Sequence, residues 1–193
     1  NVIGLDLAKY NVTVSSGVTY PYNFGGLVKQ EVISCQLDYN GSKIGIMGIF
    51  YNEYIFAIDI LPNQGPLIYA QPPSANPVDE AKSILRKYQI FAKDYGITAS
   101  HLTTALNMLN NVNELTSSST ILGNTKLEVS RITYNEANFN RTLISFKWIY
   151  TANGVDAYNK RLEITFEGNA TSFKDTWGFF TIGNFMLFLR LRL

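Results

Sequence analysis

Cysteine, histidine and charge are all scarce in this chain, and each scarcity closes off a class of chemistry. With one cysteine, Cys35, neither an intramolecular disulfide nor a multi-thiolate zinc or iron–sulfur site can form. Cys35 shares one predicted strand face with Ile33 and Leu37, so a small buried apolar residue is expected there rather than a reactive thiol. With one histidine, His101, no second imidazole exists to complete a transition-metal site. A Ser-His-Asp triad would have to recruit that residue, and no serine stands in a Gly-x-Ser-x-Gly elbow. Gly-x-Gly-x-x-Gly and Walker sequences are also missing, so nucleotide phosphates have no ready cradle. No catalytic residue, metal ligand or cofactor is assigned from the sequence.

Charged residues make up 16 % of the chain, and 16 basic against 15 acidic side chains leave a net charge of +1. Such a balance concentrates neither nucleic acid nor an anionic membrane, so a nucleic-acid partner is not expected. No apolar run approaches the about 18 residues of a bilayer-spanning helix. The chain opens at Asn1 with neither an initiator Met nor a signal peptide, as a processed or trimmed chain would.

What the chain has instead is neutral polarity and apolar bulk. Apolar residues reach 46 % over 193 residues, enough for one sizeable core in a single domain spanning 1–193. The surface is wetted largely by Asn, Ser, Thr and Tyr, a dress common in secreted and surface-layer domains. Four Asn-x-Ser/Thr sequons, at Asn11, Asn40, Asn140 and Asn169, are candidate glycosylation sites in an extracellular or cell-surface protein. Asn40-Gly41 and Gly168-Asn169 read as exposed hairpin turns.

Periodicity divides the chain into strands, two helices and strands. Segments 10–14, 27–38, 43–51 and 53–61 are rich in Val, Ile, Phe and Tyr and read as strands. Prolines and glycines at 62–73 then break regular structure. Asn76-Pro77-Val78-Asp79 is a helix start, with a cap, a proline at the first position and acid in the first turn. The spacing predicts a helix over 76–96 and a second over 98–112, with Leu85, Phe91 and Leu106 among the apolar positions. A polar loop is expected at 116–119, followed by strands at 126–134, 140–151, 160–167 and 171–182. This order disfavours βαβ winding and predicts an α+β domain, an antiparallel β-sheet with two central helices packed on one face.

The helix 77–88 (PVDEAKSILRKY), the segment 143–156 (LISFKWIYTANGVD) and the segment 173–179 (FKDTWGF) together resemble uncharacterised secreted and surface proteins of archaea. More loosely they are similar to PepSY-like modules, in which a helix packs on an antiparallel sheet. The resemblance extends over 44–183, implies an extracytoplasmic location, and brings no catalytic residues with it.

Carboxylate pairs give no active site. Glu53 and Asp59, six residues apart on one strand, would lie about 20 Å apart, too far for a glycosidase pair. Glu163 and Asp175 fall on neighbouring predicted strands, with pairing to Lys160 or Lys174 the simpler expectation. Aromatic residues crowd the last strands, and Trp148, Tyr150, Tyr158 and Trp177 are candidate binding aromatics beside the more common role of core packing. Finally, Leu187, Leu189, Leu191 and Leu193 alternate with Phe188, Arg190 and Arg192, so the tail 185–193 reads as a strand for this sheet or for another chain. The sequence thus points to a non-enzymatic extracytoplasmic surface, binding or assembly domain with a protein or glycan partner. The alternative is an accessory, PepSY-like module of a secreted hydrolase or peptidase.

Overall fold

The computed structural model describes residues 2–22, 25–52, 54–94, 100–112, 115–136, 139–168 and 170–177. Nine strands form one sheet: β1 (Asn11–Thr19), β2 (Gln30–Tyr39), β3 (Ser42–Tyr51), β4 (Tyr54–Gln64), β5 (Ser118–Leu122), β6 (Thr125–Glu136), β7 (Phe139–Ala152), β8 (Val155–Glu167) and β9 (Ala170–Asp175). Their spatial order is β1-β2-β3-β4-β9-β8-β7-β6-β5, with every neighbouring pair antiparallel. The first four strands make one meander and the last five another. The helices α1 (Pro77–Asp94) and α2 (Ser100–Leu109) lie between the two meanders in the chain.

Local chemistry explains the hairpins. Asn40-Gly41 and Asn153-Gly154 are two-residue connections in which all four residues have positive φ. That is the turn whose twist matches the flanking strands, and Asn and Gly tolerate it best. The start of α1 is equally local: the Val78 amide donates to Asn76 Oδ1 at 2.9 Å, and Glu80 Oε2 accepts from the Ser74 amide at 2.7 Å. Both ties satisfy amides at or just before the helix start.

Register sorts the side chains onto two faces. On one, Val129, Phe146, Ile164, Phe173 and Ile60 are consecutive cross-strand partners, and all five are buried. α1 meets this face through Tyr88, whose ring lies 4.9 Å from Phe173. On the other face acid and base alternate over five adjacent strands: Asp59, Lys174, Glu163, Lys147 and Glu128. Lys174 bonds Asp59 at 2.8 Å, and Glu163 lies 3.1 Å from Arg161 and 3.9 Å from Lys147. A one-residue slip of any of these strands would carry charge into the core, so the ladder fixes register as well as solubility.

The expected α+β class, with two helices packed on one face, is corrected by this architecture. Strands hold 55 % of the described residues, and the two helices are an insertion of 18 and 10 residues in a sheet-dominated fold. The shift comes from exposed strand length that the sequence reading left out. β1 continues to Thr19, and β5 occupies Ser118–Leu122, beginning within the polar loop expected at 116–119. Both are exposed along their whole length, so their order comes from backbone pairing with β2 and β6 rather than from burial. The helices end within a few residues of the expected bounds, with Leu85 buried and Phe91 and Leu106 packed against the core. Positions 96 and 98, the expected end of the first helix and start of the second, lie outside the described residues.

One buried hydrogen bond ties helix to sheet. Tyr88 Oη donates to Asp175 Oδ2 at 2.7 Å, and Asp175 Oδ1 accepts from the Trp177 amide at 2.8 Å. Replacing Tyr88 by Phe removes one donor from a carboxylate that is 3 % exposed. The expected loss is about 1–3 kcal/mol of unfolding free energy, measured by urea titration. An unchanged midpoint would show that the bond contributes nothing.

Candidate binding edge

Three places could have held chemistry, and the structure assigns the first of them to architecture. Around Asp175, the His101 ring stacks on Trp177 with centroids 5.1 Å apart, and His101 Nε2 lies 3.9 Å from Asp175 Oδ2. Tyr150 meets Trp177 edge-on at 6.2 Å, while the Lys160 ammonium sits 4.7 Å over the Tyr150 ring. Burial lowers the Lys160 pKa. It raises the Tyr88 hydroxyl pKa far above its ordinary value, with the Asp175 charge and the shared hydrogen bond adding to the shift. A phenol held neutral and donating is a fastener, not a base.

The second place is the face carrying the charge ladder. A cleft of ≈ 330 Å³ crosses β1 to β4 there, lined by Thr13, Ser15, Ser34, Gln36, Asn63 and Asp59 among others. Its one carboxylate is already engaged by Lys174, and the remaining polar groups are hydroxyls and amides. Cys35 is half-buried and free. Asp175 and Glu163, adjacent in the sequence reading, point to opposite faces because Leu162 and Lys174 are their respective partners. Glu53 lies outside the described residues. Among the described residues no group of three His, Cys, Asp or Glu side chains could hold a metal ion.

The candidate aromatics divide in the same way. Trp148 is wholly buried beside Phe146, and Trp177 is 8 % exposed under His101. Tyr150 is half-buried in its stack, which leaves Tyr158 as the one of the four standing in water. The sequence reading also missed an exposed group: Tyr20, Tyr22 and Leu27, in the connection between β1 and β2, are 56 %, 99 % and 77 % exposed. Their signal was there to read, because residues 11–28 include no charged side chain at all.

The third place is β1 itself. It pairs with β2 over nine consecutive residues with no register shift and has no neighbour on its other side among the described residues. Edge strands are commonly blunted by Lys, Pro, a bulge or shortness. β5, the opposite edge, has shortness, with five residues. β1 has none of these protections. Val12, Val14 and Val18 share one face of it, each more than half exposed. The strand therefore offers a straight row of backbone donors and acceptors beside an apolar stripe, which is what strand addition requires.

The sequons are placed as follows. Asn11 opens β1 and Asn40 forms the β2–β3 turn, both exposed. Asn140 pairs with Asn135 near the start of β7. Asn169 lies outside the described residues, as does the tail 185–193. No helix among the described residues is long and apolar enough to cross a membrane.

The structural role of the Tyr88 cluster has a pH signature. Above pH 10, the ordinary value for tyrosine, the unfolded chain releases a proton that folded Tyr88 retains, so stability must fall as pH rises past that point. Tyr88→Phe should flatten this alkaline fall, measured as the urea midpoint from pH 8 to 11. An alkaline slope identical in the two proteins would remove Tyr88 as its source. Compared with known proteins, the chain matches no family model, no curated protein and no solved structure.

Proposed function

We propose that the protein is a non-catalytic extracytoplasmic surface domain that assembles through β1, to which a second copy adds its own β1 antiparallel. The observation that carries this is the unblunted nine-residue edge with its exposed valine stripe. The strand is self-complementary: pairing about Ser15 sets Val12 opposite Val18 of the other copy and Val14 opposite Ser16 on the same face. No charge on either strand opposes the approach. Location outside the cytoplasm is supported by the four sequons and the neutral polar surface, together with the resemblance to archaeal surface proteins.

Val14→Lys tests the edge, because a charge on an open strand opposes pairing while a side chain already in water contributes little to folding. Sedimentation velocity over a concentration series should show the native chain associating and the variant monomeric, with equal melting midpoints. A native chain that stays monomeric, or a variant that associates equally, would sink the assembly reading. Location is read separately, by labelling intact cells with a membrane-impermeant amine reagent. Labelling that appears only after lysis would overturn it.

A further inference from the structure

The charge ladder stops at Asp59, and from there the same face continues over β3, β2 and β1 in two rows that carry no other charge. Ser15, Ser34, Met47 and Asp59 are cross-strand partners in one row, and Thr13, Gln36, Gly45 and Leu61 in the next. These rows line the cleft of ≈ 330 Å³ on that face, a volume at the lower end of small-molecule sites. Two of its residues are costly to the fold. Asp59 is 8 % exposed, and Lys174 bonds only its Oδ2, while Oδ1 is buried with no hydrogen-bond partner among the described residues. An unpaired buried carboxylate oxygen calls for a donor. Gly45 stands inside β3, where glycine weakens a strand, and its φ is not positive, so the backbone does not require it. A Cβ at Gly45 would meet the end of the Asn63 side chain, Nδ2 at 3.1 Å, and nothing else nearby. What the glycine achieves is an open floor between Gln36 and Leu61.

We propose that this cleft binds a neutral saccharide, one hydroxyl donating to Asp59 Oδ1 and others exchanging hydrogen bonds with Ser15, Ser34, Gln36 and Asn63. The lining argues against the other ligand classes in turn. An apolar ligand would leave Oδ1 unpaired. An anion would be set against that carboxylate oxygen, and a metal ion would find a single carboxylate already shared with an ammonium 2.8 Å away. A peptide main chain has no ladder to join here, because β2 and β3 are each paired on both sides. Hydroxyls and carboxamides both donate and accept, and a sugar presents groups of the same double character at close spacing. Leu61 and Met47, 48 % and 38 % exposed, supply apolar contact for the C–H face of a ring. Met47 is also the cross-strand partner of Asp59 and is unbranched, so it can shift to admit a donor to Oδ1. The inference goes beyond assembly through β1 and does not depend on it. Edge pairing uses the β1 backbone, while Thr13 and Ser15 turn their side chains to the cleft and Val14 to the other face.

The full chain is screened on an array of neutral gluco-, galacto- and manno-oligosaccharides with sialylated and sulfated counterparts, and the strongest neutral ligand is titrated by calorimetry. At least one neutral oligosaccharide should bind with a dissociation constant below about 1 mM, changing less than about twofold on adding about 0.5 M salt, since no ion pair forms. Gly45→Val fills the floor with a residue that suits a strand, so affinity should fall at least about tenfold while the melting midpoint holds or rises. Asp59→Asn removes the charge that the donor meets and should weaken binding by a similar factor. Gln36→Ala changes a side chain exposed on the cleft and should weaken binding at an unchanged melting midpoint. Val14→Lys, which loses association through β1, should bind the saccharide as the native chain does. The proposal is overturned by an array on which no neutral saccharide binds, by binding confined to the acidic glycans, or by any of the three cleft variants melting and binding as the native chain does. It is also overturned if Val14→Lys abolishes binding, which would place the site at the β1 interface.

Discussion

Two meanders become one sheet through three residue pairs: Ile58 with Asp175, Asp59 with Lys174 and Ile60 with Phe173. Every other strand pairing joins neighbours in sequence, which a hairpin turn already brings close, whereas this seam closes a loop of more than a hundred residues and must repay its entropy. Each face of β9 is fastened for that purpose. Lys174 is held by Asp59 on one side, and on the other Phe173 and Asp175 are held by the ring and hydroxyl of Tyr88. The helices fit the same account, since α1 brings Tyr88 to the seam and α2 brings His101 onto Trp177 just beyond it.

The seam also accounts for the polar groups in the interior. A buried carboxylate, a buried phenol and a stacked imidazole would suggest catalysis if they met at a cleft with a nucleophile. Here the carboxylate accepts from a phenol and a backbone amide, and its position on β9 makes it part of the join. On the opposite face the alternating charges add a different specificity, because they penalise every register in which two acids or two bases would stand together. One face is fixed by packing and the other by charge.

What remains outside this scheme is one corner of the molecule. β1 is uncharged, apolar on one stripe, and exposed throughout. Natural sheets rarely leave a long edge so unprotected unless something covers it. The strand offers a surface suited to backbone pairing.

Local chemistry wrote several features directly into the sequence. Asn40-Gly41 and Asn153-Gly154 dictate tight hairpins because few other residues accept positive φ, and Asn76-Pro77 with Glu80 dictates where α1 begins. The uncharged stretch 11–28 was equally visible, although only the structure shows that β1, Tyr20, Tyr22 and Leu27 stand in water. Most strands were legible, but the full extent of β1 and the existence of β5 were not, because both bury nothing and are ordered by backbone pairing alone. Which strands neighbour β9, that Glu163 and Asp175 face opposite ways, and that Trp148 is core while Tyr22 is exposed are decided by pairing across long sequence separations. Short-range propensity determines turns, caps and periods from the residues at hand. Register across the seam depends on the summed burial, charge and hydrogen bonding of segments a hundred residues apart, and only the assembled sheet adds those terms together.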